Sequence, residues 1–202
     1  MYLVERMNVL ALLAMAAPVE SPDDGAGAIA AAKAGELAAF ESLMRQHERL
    51  VLVTAVRLLG KLEDAQDASQ EVFLRLYRNL GKIDAVQNVP GWLYRVTVNV
   101  CHDMTRKRVA SVAVDEMPEL ADTGADPQQS ATQRERRRAL QMSLRFLSEK
   151  ERAAIVLRDL EGLSTREVAR ALGSSEATVR SQISKARIKV RAFMERYFRS
   201  NI

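Results

Sequence analysis

Residues 147–191 carry the sequence LSEKERAAIVLRDLEGLSTREVARALGSSEATVRSQISKARIKVR, and this stretch decides the fold of the chain. A serine followed three residues later by a glutamate opens two helices, at Ser148 and Ser164, because such a pair satisfies free backbone N–H groups. Gly162 and Gly173 predict the ends of these helices, since glycine adopts the left-handed backbone needed there. The stretch therefore predicts a helix followed by a helix-turn-helix.

The last helix of this stretch, which Ser174 or Ser175 caps, is predicted to bury one face. Its apolar residues recur at intervals of four, three and four positions: Val179, Ile183, Ala186 and Val190. Basic and polar residues occupy the other side, and a basic helix after a glycine turn suits a DNA major groove. The alternative is the end of a helical bundle whose charged face is merely solvated.

Charge is distributed unevenly along the 202 residues, whose net charge is +4. Residues 131–202 hold 17 Lys and Arg against 8 Asp and Glu, whereas residues 109–130 hold five acids and no base. A basic C-terminal module suits a polyanion such as DNA, because phosphate neutralisation dominates such binding. The acidic segment also contains two prolines and a glycine, so we predict that it is a linker.

Apolar residues recur at helical spacing over most of the remaining chain. This spacing predicts helices over 36–59 and 63–80, and a third with Pro90 in its first turn that closes near residue 108. The predicted fold class is all-α, with two small helical domains joined by an acidic linker.

The domain boundaries follow from this pattern. The predicted domains are 28–108 and 134–202, and 109–133 is the predicted linker. Residues 1–27 are apolar and rich in alanine over much of their length, and we expect a disordered extension or a mis-called start.

The composition argues against an enzyme, a metal site or a cofactor. The single cysteine, Cys101, cannot form an intrachain disulfide and lies in a helical pattern typical of packing. The two histidines, His47 and His102, are far apart in the sequence and lack the Cys or carboxylate spacing of a zinc site. The sequence has no nucleophile–base arrangement and no phosphate-binding glycine loop. We therefore expect no catalytic residue, metal, cofactor or small-molecule substrate.

Two predicted helix faces in the N-terminal half carry candidate binding residues. The second helix has polar residues on adjacent turns opposite its apolar face: Asp64, Asp67, Gln70 and Glu71. This face is either solvated or a docking surface for a basic partner. The third helix aligns an aromatic ring with polar and basic residues at intervals of three, four, three and four: Trp92, Arg95, Asn99, His102 and Arg106. Such a face suits single-stranded DNA; the alternative is a packed Trp beside solvated neighbours.

Three segments resemble bacterial sigma factors of the extracytoplasmic-function (ECF) group. The strings Asp64-Ala-Gln-Asp-Ala-Ser-Gln-Glu-Val-Phe-Leu-Arg-Leu-Tyr77 and Pro90-Gly-Trp-Leu-Tyr-Arg-Val-Thr-Val-Asn99 are similar to region two of that family. The helix-turn-helix over 163–187 is similar to region four. The resemblance covers residues 28–195, and residues 1–27 have no counterpart in it.

The resemblance implies a role for each matching residue. Binding to the beta-prime clamp of RNA polymerase is implied for Asp64, Asp67, Gln70 and Glu71. Capture and opening of the minus-ten promoter element are implied for Lys82, Asn88, Trp92, Arg95, Asn99 and Arg106. Recognition of the minus-thirty-five element is implied for Thr165, Arg166, Glu176, Arg180, Ser181, Ser184 and Arg187. Further along that helix, we expect Lys189 and Arg191 to meet phosphate or solvent.

The function implied by the resemblance is transcription initiation in the cytoplasm. The implied partners are core RNA polymerase, through its beta-prime clamp and beta flap, promoter DNA and an anti-sigma factor. A helix-turn-helix regulator that binds DNA without polymerase is the first alternative, and an enzyme is the second. A requirement for core polymerase distinguishes a sigma factor from the first alternative, and turnover by the purified protein would indicate the second.

Overall fold

The structure of the protein, a computed structural model, describes residues 25–83, 89–111 and 131–199. Its α-helices are α1 (Gly25–Lys33), α2 (Leu37–Leu59), α3 (Leu62–Asn79), α4 (Val89–Ser111), α5 (Ala131–Arg145), α6 (Glu149–Ile155), α7 (Thr165–Leu172) and α8 (Glu176–Arg199). A 3-10 turn, Leu80–Lys82, follows α3, and a π-helical turn, Val156–Leu160, continues α6. The described residues contain no strand, so the predicted all-α class is confirmed. None of the described helices could span a membrane.

Helices α2, α3 and α4 pack against one another and form the core of the N-terminal half. Their apolar sides meet there, and the most deeply buried side chains include Leu43, Val51, Val72, Leu76, Leu93 and Val100. Burying one such side chain contributes about 1.5–3 kcal/mol. Helix α1 packs on α2 and buries Ile29. This packing fixes the rotation of α3 and α4, so their opposite faces point to solvent.

Helix ends in the structure differ from the predicted boundaries. Helix α4 continues to Ser111, beyond the predicted end at 108, and α5 begins at Ala131, inside the predicted linker. Basic residues at 106–108 favour a helix C-terminus through the helix dipole, but they do not stop a helix as proline does. Helix α1 likewise begins at Gly25, ahead of the predicted domain start at residue 28. Residues 112–130 and 1–24 lie outside the described residues.

Both predicted capping boxes are present in the C-terminal half. Ser148 and Glu151 exchange hydrogen bonds at the start of α6, and Ser164 and Glu167 do the same at α7. Gly173 has a φ of 57°, the left-handed conformation expected of the helix-turn-helix glycine.

Helix α8 is anchored by the predicted apolar face. Val179, Ile183 and Ala186 are buried, and α8 packs against α6, α5 and α7. Of the two candidate caps, Ser175 fills the role, because its Oγ accepts a hydrogen bond from the Thr178 N–H at 3.1 Å. Val190, the fourth residue of the apolar face, is partly buried and packs against the same core.

A buried ion pair joins the two halves. Arg57, near the end of α2, lies 2.7 Å from Glu161, and the two side chains are only 8% and 10% exposed. Arg57 also donates to the Leu160 carbonyl at 3.1 Å, and the Tyr94 hydroxyl of α4 donates to Glu161 at 3.3 Å. Burial and the adjacent Glu161 carboxylate raise the pKa of Tyr94, so its hydroxyl stays a neutral donor.

Further contacts surround this pair. Arg152 of α6 donates to the Leu58 carbonyl of α2 at 2.8 Å, and His102 Nε2 of α4 lies 2.6 Å from a Glu149 carboxylate oxygen. Helix α7 packs directly against α4. The two halves are therefore held together by polar contacts around a closely packed helix pair.

Replacing Glu161 by Leu should open the packing between the halves, because it leaves Arg57 buried without a counter-charge. Breaking a buried pair by removing one partner costs about 3–5 kcal/mol, and the chain avoids that penalty by separating its halves. The double variant Arg57→Met/Glu161→Leu should stay closed, since apolar side chains then replace the pair. Small-angle scattering should give a larger radius of gyration for the single variant only. Equal radii for the single variant and the unmodified chain would contradict this.

Candidate nucleic-acid interface

The exposed face of α4 carries most of the predicted minus-ten residues. Arg95, Asn99 and Arg106 are exposed, whereas Trp92 is partly buried and packs against the core. The sequence offered stacking and packing as alternatives for Trp92, and the structure allows both because part of the ring remains accessible. An aromatic ring beside Arg and Asn side chains can stack on an unpaired base while its neighbours contact base edges and phosphate.

The other residues associated with this face are placed differently. Lys82 is exposed but lies on the 3-10 turn after α3, and Asn88 falls outside the described residues. His102, which has the same helical spacing as the α4 residues, is engaged with Glu149 of the other half. The candidate minus-ten surface on the described part of α4 therefore rests on Trp92 and the three exposed residues.

The acidic stripe of α3 is partly exposed and partly structural. Asp67 and Gln70 are exposed, whereas Asp64 and Glu71 are half-buried. Glu71 accepts a hydrogen bond from Arg75 at 2.8 Å, and the same Arg75 lies 3.7 Å from Asp103 of α4. Glu71 is thus engaged within the N-terminal half, and Asp67 and Gln70 are the two members of the stripe that face solvent most fully.

Four of the predicted minus-thirty-five residues, Thr165, Arg180, Ser184 and Arg187, line one surface of the helix-turn-helix. Five of the predicted residues are exposed: Arg166, Arg180, Ser181, Ser184 and Arg187. The other two, Thr165 and Glu176, are partly exposed. Glu176 lies 3.4 Å from Arg180 one turn later, an exposed ion pair of the kind that contributes little to stability.

An open groove of about 600 Å³ runs along this side of α8. Four guanidinium groups line it, from Arg158, Arg180, Arg187 and Arg191, together with Thr165 and Ser184. Arg158 was not among the predicted residues, because only the tertiary packing brings the π-helical turn beside α8. Guanidinium groups bind phosphate in bidentate fashion, so the groove suits the backbone of a nucleic acid.

Two acids accompany this basic groove: Glu195 is part of its lining, and Asp159 contacts Arg187, one of the arginines that line it. The Nε and Nη2 atoms of Arg187 donate to Oδ2 and Oδ1 of Asp159 at 2.8 and 2.6 Å. The hydrogen bonds and charge of Asp159 raise the pKa of Arg187, which stays a cation. The two residues are 28 positions apart, so helical spacing could not predict the contact.

Lys189, for which we expected contact with phosphate or solvent, is half exposed to solvent and is also engaged with an acid of α6. Its Nζ lies 2.9 and 2.8 Å from the two carboxylate oxygens of Glu151, which is buried. The hydrogen bond from Lys189, followed by those from Ser148, lowers the pKa of Glu151 despite its burial. Glu151 therefore both caps α6 and anchors α8. Arg191, for which we made the same prediction, lines the groove.

Comparison with known proteins identifies relatives of both halves. The Sigma-70 region 2 family model matches residues 43–110, and the Sigma-70 region 4 family model matches residues 137–190. The chain is 35% identical over 186 residues to the ECF RNA polymerase sigma factor SigE of Mycolicibacterium smegmatis, covering 89% of this chain and 72% of that protein. It is 34% identical over 164 residues to the ECF RNA polymerase sigma factor SigM of Mycobacterium tuberculosis, covering 80% of each.

A solved structure is also similar. The structure of CnrH in complex with the cytosolic domain of CnrY contains a chain that is 26% identical, with a TM-score of 0.63. The match covers 86% of this chain and 98% of that chain.

Replacing Lys189 by Ala should lower stability at neutral pH and make stability less dependent on pH in the acid range. Because the folded chain holds the pKa of Glu151 below its unfolded value of about 4.3, the resulting stability is present above that pH and lost as the pH falls through the folded pKa. Without Lys189 the difference between the folded and unfolded pKa of Glu151 shrinks. Urea unfolding measures the free energy of unfolding at pH 7 and at pH 3.5, and Arg191→Ala is the matched control. The same pH dependence in the Lys189→Ala variant and the unmodified chain would contradict the assigned pair.

Proposed function

This chain belongs to the ECF group of sigma factors, and we propose that its two halves divide the promoter between them. As a sigma factor it binds core RNA polymerase and promoter DNA in transcription initiation, and it is not a regulator acting on DNA alone. The α1–α4 half takes the minus-ten element, and the α5–α8 half takes the minus-thirty-five element. The proposed site of action is the cytoplasm, where polymerase and chromosomal DNA lie, and an anti-sigma factor is the expected regulator.

One observation carries the assignment: each half exposes a DNA-suited helix face whose opposite side is locked into the core. On α4, Arg95 and Asn99 are exposed beside the partly buried Trp92. On α8, Arg180 and Arg187 line the groove while the other side of the helix is buried. Because packing fixes the orientation of each face, its side chains lose less conformational freedom when the face binds DNA.

Two further surfaces are proposed to contact polymerase. The exposed Asp67 and Gln70 of α3 suit a basic site on the beta-prime clamp. An aromatic cluster suits the beta flap, because Phe146 is 69% exposed and its ring centroid lies 5.1 Å from that of Phe193 on α8. Tyr197 extends this cluster, and exposed aromatic groups of this kind mark protein interfaces.

The two halves must separate for both promoter elements to be bound at once. Helix α8 packs on α7, which packs on α4, and packed helices lie about 8–10 Å apart. The minus-ten and minus-thirty-five elements lie about 25 base pairs, or about 85 Å, apart along DNA at about 3.4 Å per pair. The 19 residues between Ser111 and Ala131 reach at most about 65 Å, so with the widths of the two halves they bridge this distance. The Arg57–Glu161 contact is therefore broken in the promoter complex.

Replacing Asp67 by Lys should abolish assembly with core polymerase while leaving the fold intact, since an exposed substitution usually changes stability by within about 0.5 kcal/mol. Co-purification with core polymerase measures assembly. Glu41→Lys is the matched control, because Glu41 is an exposed acid on α2 outside the proposed docking surface. Retained assembly of the Asp67→Lys variant would remove Asp67 from the docking surface.

Replacing Asn99 by Ala should leave holoenzyme assembly intact but reduce promoter opening, because the α4 face loses a hydrogen-bonding group for unpaired bases. Permanganate reactivity of unpaired thymines measures opening, and Asn99 is exposed, so the fold should tolerate the change. Replacing Trp92 is a poorer test, since its partly buried ring packs against the core and the loss of a core aromatic costs about 3–5 kcal/mol of stability. Unchanged permanganate reactivity in the Asn99→Ala holoenzyme would exclude Asn99 from the site.

A further inference from the structure

Asp159 is an acid at a surface that otherwise suits DNA. The groove beside it is lined by Arg158, Arg180, Arg187 and Arg191, and by one further acid, Glu195. A carboxylate at such a surface repels phosphate and reduces the favourable charge of the groove. The presence of Asp159 is explained if this residue has a role whose benefit exceeds its repulsion of phosphate.

The geometry of the Asp159 contact points to that task. Two hydrogen bonds, of 2.8 and 2.6 Å, occupy the Nε–Nη2 edge of the Arg187 guanidinium. A planar guanidinium has five N–H donors, so the edge formed by Nη1 and the second Nη2 hydrogen is left over. The Arg187 side chain is 58% exposed, so this second edge is accessible to a ligand.

The backbone that carries Asp159 is well supported. Asp159 lies in the π-helical turn, where the Glu161 N–H donates to the Val156 carbonyl at 2.9 Å. Val156 and Leu157 of the same turn are completely buried. Asp159 and Arg187 both belong to the α5–α8 half, so their contact does not depend on the packing between the halves.

Stability alone gives a weak reason for this pair. Exposed ion pairs contribute about 0–1 kcal/mol, and the Asp159 and Arg187 side chains are 27% and 58% exposed. Fixing an arginine before binding, in contrast, removes part of the cost of ordering it on the ligand.

We propose that Asp159 is a positioning residue that holds Arg187 so that its remaining edge contacts a base of the minus-thirty-five element. This inference rests on the proposed function of α8. The base class that suits a bidentate guanidinium edge is guanine, through its O6 and N7 acceptors. Arg187 follows Arg180 by seven residues, a rise of about 10 Å along the helix, so the two arginines contact different positions.

The experiment is promoter-library transcription with reconstituted holoenzyme at two salt concentrations. Arg187→Ala should relax the base preference at one position, distinct from the position that Arg180→Ala affects. Asp159→Asn should relax the preference at the Arg187 position by about 2- to 12-fold, the range expected when one side chain is no longer pre-ordered. The double variant Asp159→Asn/Arg187→Ala should lose no more than Arg187→Ala alone.

Glu195→Gln is the matched control, because Glu195 lines the same groove and its loss changes only the charge. It should raise transcription from all promoters alike, as expected for a phosphate effect. If Asp159→Asn does the same and shifts no base preference, Asp159 contributes charge only and the proposal is overturned.

Arg187→Lys is a second test for the case in which Asp159→Asn lowers stability. It should keep the fold, and it keeps the charge at this position. A lysine can still pair with Asp159 but has no second planar edge, so this variant should retain its thermal stability and lose the base preference. A retained preference would overturn the proposal. If Arg187→Ala shifts nothing while Arg180→Ala does, the inference fails and the role of α8 stands; if neither shifts a preference, the proposed role of α8 fails.

Discussion

The arrangement of the two halves depends on the buried pair between Arg57 and Glu161. The buried apolar residues of the two halves form one continuous cluster, and the polar contacts between the halves include this pair, the Arg152 hydrogen bond to α2 and the His102–Glu149 contact. A buried ion pair gains little net free energy, because removing both charges from water offsets most of their attraction. Charged groups also regain hydration when they separate. The ionic part of the interface therefore opposes separation only weakly, and binding to polymerase and promoter DNA would have to offset the exposure of the shared apolar cluster.

The π-helical turn connects this interface to the recognition helix. Its last residue, Leu160, accepts a hydrogen bond from Arg57, and Glu161 follows immediately. Two residues before Glu161, Asp159 binds Arg187 of α8. One short segment thus carries a contact that we propose breaks on the promoter and another that lies within a single half and can persist.

Local features of the fold could be predicted from the sequence because they rest on neighbouring residues. The capping boxes at Ser148 and Ser164, the left-handed Gly173 and the buried face of α8 all follow from spacings of a few positions. The ends of α4 and α5 could not be placed as well, because basic residues favour a helix end without imposing one.

The contacts that organise the site could not be predicted, because they join residues distant in the sequence. Arg57 and Glu161 are 104 positions apart, and Lys189 and Glu151 are 38 apart. Nothing in the local pattern distinguishes Lys189 from a solvated lysine, and nothing marks the π-helical turn that places Asp159 beside α8. A single sequence shows which faces are polar but not which polar groups are already engaged.

The central claim is that the halves packed together in the free chain separate on the promoter. It is tested most directly by energy transfer between dyes on Arg45→Cys and Arg170→Cys, two exposed positions, one in each half. The native Cys101 should stay unlabelled, because burial raises the pKa of its thiol to about 12. We predict high transfer in the free chain and a marked loss of transfer when core polymerase and promoter DNA are added. Transfer that stays unchanged in the promoter complex would contradict the account.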